Sequence, residues 1–229
     1  MIANKKEFGL GLVLFIAFWA VFVVFLSPVF EGKNLLDYMD NLYNTISKKS
    51  SYYIPDIQKK AEAYKGEQID FIVKTKDADQ AARTAKLFEA SQATVTVEDK
   101  NVKVSGDLGM IFDNVLADAD AMFNNNGQAI NQGKYGYDEK MVLYDWWNAM
   151  KSAEASMTKQ EKFKEATTFS KVMTKAIEPA YNYYGIVATD IMDRIWMVII
   201  SLAGYVIYTM WYGFAILFMF EGWGLKLEH

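Results

Sequence analysis

The chain has no cysteine. That excludes disulfides, zinc ribbons, iron–sulfur ligation and a thiolate nucleophile. Histidine occurs once, as the final residue His229. The closing triplet Leu227-Glu228-His229 resembles the start of a vector-encoded polyhistidine tag, and residues 227–229 are set aside from fold reasoning. Without His229 there is no imidazole for general-base catalysis, proton shuttling or transition-metal ligation. A basic run and an interleaved basic–aromatic patch are also missing, and the net charge is a mild −4. Nucleic acid is therefore not expected as a partner. No phosphate loop, nucleophile elbow, metalloprotease helix, dinucleotide fingerprint or internal repeat is found. These absences lead us to expect a protein that is not an enzyme, with no catalytic, cofactor-binding or metal-binding residues.

What is abundant is apolar side chain, at 52% of 229 residues. This is too apolar for an ordinary soluble protein and too polar for a polytopic transporter, so the chain reads as a mixture of membrane and soluble parts. Residues 8–30 carry no charge, a run long enough as a helix for the roughly 30 Å hydrocarbon core. Lys5 and Lys6 ahead of this run would suit a cleavable signal peptide. The run, however, exceeds the usual apolar core of about 7–15 residues, and Ser27-Pro28-Val29-Phe30 makes a poor cleavage site. An uncleaved transmembrane helix is expected.

Residues 195–220 form a second charge-free run, bordered by Arg194 and Trp196 at one end and by Trp211, Tyr212, Glu221 and Trp223 towards the other. Aromatics at the headgroup level are expected of a span. Lys5, Lys6 and Lys226 favour cytoplasmic ends, residues 1–7 and 221–226. Residues 31–194 would then be extracytoplasmic: periplasmic or extracellular, held to the cell's inner (plasma) membrane. With so short a leading segment, no signalling domain on the cytoplasmic side is expected.

The middle region is expected to be mostly helical. Leu35, Met39, Leu42 and Ile46 share one helical face, and Pro55 opens a short helix closed by Gly66. Residues 69–123 change period: a strand at Ile69–Lys74, a helix capped by Asp77, two alternating strands around Asp99-Lys100-Asn101, and a helix capped by Asp107. The fold class is thus an α+β membrane protein, with a small β-α-β-β-α module inside a mostly helical domain. Residues 124–138, rich in Asn and Gly, read as a loop and a contact surface. Residues 139–194 read as helices leading to the membrane, one to about Ala155 and another starting at Thr158, whose spacing to Glu161 suits a capping box.

From Phe163 onward a heptad stripe continues into the second span, through Tyr184, Ile191, Val198, Tyr205 and Tyr212 in one set and Val187, Arg194, Ser201 and Tyr208 in the other. Pro179 interrupts it. Polar side chains in a span avoid lipid, so Ser201, Tyr205, Tyr208 and Tyr212 are read as a helix-packing or pore-lining face. Thr209 flanks them, with Gly204 and Gly213 alongside. Asp190, Asp193 and Arg194 form a charged collar at the membrane boundary, Asp190 and Arg194 being spaced to pair. Of the adjacent Trp146 and Trp147, one is expected in the core and the other half exposed, where it could contact a partner. Asp118, Asp120, Asn124 and Asn126 hint at a calcium loop, but Met122 stands at a ligand position and no glutamate closes it.

The expected function is a homo-oligomeric inner-membrane protein whose extracytoplasmic domain mediates assembly or partner binding. Two rivals share the topology: an oligomeric channel lined by the second span with Asp190 and Asp193 at its mouth, and an accessory subunit of a respiratory or transport complex. The expected partners are membrane lipid, further copies of the chain and other membrane-protein subunits.

Overall fold

A computed structural model of the protein describes residues 2–225; Lys226 and the tag-like triplet lie outside them. The chain separates into two units. One is built from the two chain ends, up to Ile46 and from Ala188 on, and the other is Ser47–Val187. The described residues are mostly helical, with one three-stranded antiparallel sheet.

In the first unit, helix α1 spans Lys5–Leu26 and helix α9 spans Ile195–Trp223. Both are long and apolar enough to cross a membrane. α1 begins before the charge-free run because Asn4 caps it, its side chain accepting from the Lys6 and Glu7 amides at 3.1 and 3.4 Å. It ends at Leu26 and not at Phe30, since the residue ahead of Pro28 is driven into extended geometry, and Ser27 has ψ 151°. α9 ends at Gly224, whose φ of +93° is the left-handed cap that glycine tolerates best. Helix α2, Leu35–Ser50, begins in this unit; Leu42 and Ile46 on its expected apolar face are buried, at 7% and 8% exposure.

The second unit carries the sheet. Helix α3 (Ile54–Ala61) has Pro55 in its first turn. Strand β1 (Gln68–Lys74) leads to helix α4 (Ala78–Ala90), strands β2 (Thr94–Glu98) and β3 (Asn101–Asp107), then helix α5 (Leu108–Phe123). Asp77 caps α4 by accepting from the Gln80 amide at 2.8 Å, and Asp107 caps α5 through the Met110 amide at 3.1 Å. The strand order is β1-β3-β2 with both pairings antiparallel. β1 and β2 therefore run parallel, with β3 inserted between the two ends of a β-α-β crossover.

Helix α6 (Glu139–Lys159), α7 (Phe163–Val172) and the short α8 (Glu178–Asn182) complete the unit. One face of the sheet is buried: Ile69, Phe71 and Val73 of β1 with Val102 and Val104 of β3. Aromatic rings tie it to the helices edge to face, Phe71 with Phe88 and Phe169, Phe112 with Phe169, and Phe88 with Trp146 at centroid separations of 4.9–5.8 Å. Each such ring, fully buried, contributes roughly 1.5–3 kcal/mol of transfer free energy.

Two expectations about the later helices are corrected. No new helix starts at Thr158: α6 runs to Lys159, the Thr158 hydroxyl donates back to Glu154 O at 2.9 Å, and the break falls at Glu161, φ +61°. One more turn of α6 keeps Met157 in the core, at 0% exposure, and that burial outweighs the local capping signal. Nor does one helix carry the heptad stripe from Phe163 into the second span. Pro179 is accommodated: a wide turn over Met173–Ile177, in which Glu178 N–H donates to Met173 O, loosens the ladder ahead of it. The helix stops further on, where Gly185 takes φ +87° and the following residues carry no helix until Ile191.

Candidate functional site

The apolar helices pack against each other as an antiparallel pair. Glycine sets their separation. A Cβ on Gly11 would stand 2.6 Å from Met219 N and 2.8 Å from Ala215 O, and Gly222 backs onto Phe8 in the same way. Asn4 N–H donates to Gly222 O at 2.9 Å. Further along, Trp211 Nε1 donates to Leu14 O at 3.1 Å. Tyr208 stacks on Phe18 at 4.2 Å, and its hydroxyl donates to Phe18 O at 3.3 Å.

The four residues of the expected polar face divide between different neighbours. Tyr208 faces α1. Tyr212 leans on Phe18 and Phe15, at 4.9 and 6.2 Å between ring centroids, and remains 39% exposed. Ser201 shares a 2.6 Å hydrogen bond with the Tyr43 hydroxyl from α2. Tyr205 alone stands out, 71% exposed, and its hydroxyl has no hydrogen bond among the described residues. Thr209 and Gly213 follow it at successive fourth positions, with open space around Gly213.

At the head of α9, Asp190 and Arg194 do not pair among the described residues. An Asp190 oxygen instead accepts from the Met192 amide at 3.0 Å, opening the short turn Ile191–Arg194, while the Arg194 guanidinium lies 3.8 Å from Met197 Sδ. Asp193 donates its amide to Asp190 O at 3.2 Å and its side chain is exposed.

The second unit places the paired tryptophans on opposite sides of the surface. Trp146 is fully buried. Trp147 is half-buried; its Nε1 donates to Glu178 Oε1 at 2.9 Å, and Lys151 Nζ lies 4.8 Å from its ring centroid. With Tyr144 and Tyr181 it borders a hollow of about 330 Å³.

Asp118 is not a calcium ligand. It is 1% exposed and accepts from Tyr135 at 2.6 Å, Trp146 Nε1 at 2.8 Å and Lys134 Nζ at 2.5 Å. Asp120 is satisfied separately, by the Tyr52 hydroxyl at 2.6 Å and by Asn124. Among the described residues no cluster of acidic or imidazole side chains has the arrangement of a metal site. The Asp118 cluster pins the segment 124–138, which the sequence shows only as an aperiodic loop. Ile130 and Tyr135 enter the core from it, at 2% and 3% exposure. Burial and the neighbouring Asp118 carboxylate push the Tyr135 phenol well above its ordinary pKa, so it remains a donor.

A second buried carboxylate, Asp145, is 0% exposed and accepts from Gln80 Nε2 at 3.0 Å and Arg83 Nε at 2.7 Å. Both carboxylates are occupied by donors from neighbouring helices and loops. Their chemistry is to fasten α4, α5 and α6 together.

The sheet's outer face and the flank of α6 border a groove of about 870 Å³. Its walls alternate hydroxyls and charges, including Asp70, Lys74, Thr94, Thr96, Lys103 and Ser156. Sequence reasoning did not single out this groove, although the alternation of β1 and β3 identifies which of their residues face away from the core.

Comparison with protein-family models, with curated proteins and with solved structures gives no match.

Proposed function

We propose that the protein is a non-enzymatic, homo-oligomeric membrane protein. α1 and α9 span the inner membrane with both chain ends cytoplasmic, and the sheet-bearing unit is an extracytoplasmic module for assembly or partner binding. The observation that carries this reading is Tyr205. It lies ten residues into α9, about 15 Å along the helix, and at that depth in hydrocarbon an unpaired hydroxyl costs free energy that a protein neighbour relieves. Thr209 and Gly213, a small-xxx-small pair on the same side, allow a second helix to approach closely. In the channel reading Ser201 and Tyr208 would also line a water path, but both are engaged within the chain.

The cysteine-free sequence makes the test direct. Tyr205→Cys in full-length protein, in lipid nanodiscs of known mass, is expected to crosslink between copies, whereas Tyr208→Cys, facing α1, is not. A monomeric mass with no crosslink at Tyr205 overturns homo-oligomerisation and assigns the face to another subunit. Ion flux through reconstituted vesicles that Tyr205 substitutions alter would replace the assembly role with the channel.

A further inference from the structure

The two edges of the sheet are treated differently. Thr75 N–H donates to Lys100 O at 2.9 Å and Leu108 N–H to Glu67 O at 2.8 Å, so the even-numbered residues of β3 bond towards β1. The odd-numbered ones, Asn101, Lys103 and Ser105, therefore bond to their register partners Glu98, Thr96 and Thr94 in β2. On the far side of β1, α6 packs along the strand and Gln160 Nε2 donates to Asp70 O at 3.0 Å. α6 covers that edge in part.

The β2 edge is open. Its outward backbone groups are the N–H and C=O of Val95 and Val97, and among the described residues none has a hydrogen-bond partner. Natural edges are protected by proline, lysine, a bulge or a covering element. β2, Thr94-Val95-Thr96-Val97-Glu98, has no proline, lysine, bulge or covering element, carries its one charge at its end on Glu98, and keeps an unbroken register to β3. Val97, on the side of the sheet that faces the core, is left 46% exposed.

We propose that this edge is the interface between extracytoplasmic modules: β2 pairs antiparallel with β2 of a second copy, about a two-fold axis at Thr96, joining two three-stranded sheets into one of six strands. The strand is self-complementary in this register. Val95 lies opposite the partner's Val97 and Val97 opposite the partner's Val95, so all four free groups on each copy are satisfied at once. On the core side each Val97 gains an apolar neighbour. On the outer side Thr96 meets its own copy, and Thr94 meets the partner's Glu98, with no like charges opposed. An antiparallel register centred on Val95 or on Val97 leaves some of these groups unpaired. The contact is small beside the roughly 1,200 Å² or more of a stable soluble complex. Confinement of two copies in one membrane supplies the missing effective concentration. The proposal thus rests on the reading of the chain as a membrane-anchored homo-oligomer and adds the module's part in it.

Thr96→Cys tests it in the full-length protein in native-lipid membranes. Facing residues of a non-hydrogen-bonded antiparallel pair have Cα atoms about 4.5 Å apart, within disulfide reach. Thr94→Cys is the control, also exposed on the same face, but two-fold copies of Thr94 would stand about 14 Å apart. The expected result is an oxidised dimer at Thr96 and none at Thr94, with the dimer lost when Val97→Lys is added. Equal crosslinking at both positions, or an unchanged dimer in the presence of Val97→Lys, overturns the proposal. No Thr96 dimer alongside Tyr205→Cys crosslinking overturns this interface and leaves the oligomer standing. No crosslink at either site removes both. A Thr96 adduct to a different protein assigns the edge to a strand from another partner and overturns the self-pairing.

Discussion

Tyr208 lies flat on Phe18, their rings 4.2 Å apart and 18° from parallel, where the two apolar helices cross. The same seam passes through Gly11 against Ala215 and through Phe8 against Gly222. On α1 these contacts follow steps of three, four, three and seven (Phe8, Gly11, Phe15, Phe18, Phe25), and on α9 a heptad of Tyr208, Ala215 and Gly222. Gly11→Val is expected to weaken the pair by about 1–3 kcal/mol, since its Cβ would collide with backbone. Gly9→Val, in open space, is expected to be neutral. Unfolding of the full-length protein in mixed micelles with increasing SDS, followed by tryptophan fluorescence, distinguishes the two variants.

Asp118 holds two buried donors, Tyr135 and Trp146, and the half-exposed cation Lys134. Asp118→Ala leaves those donors without an acceptor inside the core. A loss of about 2–6 kcal/mol is expected, from two buried donors left unsatisfied at about 1–3 kcal/mol each. Asp118→Asn retains one acceptor oxygen but forces an amide donor among donors, and is expected to lose less. Denaturant unfolding of the full chain measures both. Hydrogen exchange in residues 127–136 is expected to rise with them, because that segment is what the carboxylate fastens.

How much of this was legible in the sequence depends on how local each cause is. The β-α-β-β-α order was readable because Asp77 and Asp107 cap their own helices and the strands alternate. The seam on α1 was hidden because every face of that helix is apolar, and no periodic contrast marks the contacting side. Asp118, beside Asp120 and Asn124, hinted only at a calcium loop whose pattern fails at Met122, and its buried role went unread. Its position three residues after Val115 and four before Met122 was the available signal, since that places it on the buried face of α5. Its partner Lys134 comes from a loop with no period at all. The heptad stripe beyond Phe163 was real in composition but runs over α7, α8 and α9, and Gly185, not Pro179, separates α7 and α8, joined through the wide turn, from α9.

Tyr137 offers a test of the opposite sign from the Asp118 variants. Its hydroxyl is buried and makes no hydrogen bond among the described residues. Burial and the nearby Asp145 carboxylate raise its pKa, as burial and Asp118 do for Tyr135. Titration of neither phenol affects stability below the unfolded-state value of about 10. Above it the unfolded chain releases protons that the native state retains, and stability falls as pH rises. Tyr137→Phe is expected to be neutral or to stabilise by about 1 kcal/mol at neutral pH, because it removes an unsatisfied polar atom. It is also expected to flatten the decline above pH 10, seen as a shallower drop in denaturant midpoint than in the wild type.

Lys48 contributes with the reverse slope. Its ammonium is buried, 2% exposed as a residue, and donates to Asn125 Oδ1, Tyr183 O and Ile186 O at 3.0, 3.1 and 2.6 Å, above the Phe123 ring. Among the described residues no carboxylate pairs with it. Desolvation lowers its pKa below the ordinary value of 10.5. At neutral pH the fold therefore carries a charge that the unfolded chain solvates better. As pH rises through the lowered native value the native state gives up its proton first, and stability increases until the unfolded value is reached. Lys48→Met is expected to abolish that rise. Its cost at neutral pH is expected to stay within about 1 kcal/mol, because both carbonyls retain other donors, Ile186 O from Asn125 Nδ2 and Tyr183 O from the Ile186 amide. Lys48→Ala is expected to cost more, about 2–3 kcal/mol, through the cavity it opens. Denaturant midpoints between pH 7 and 10 separate the two effects: a rise in the wild type that is absent in Lys48→Met assigns the slope to the ammonium, whereas an equal rise in both variants would assign it elsewhere.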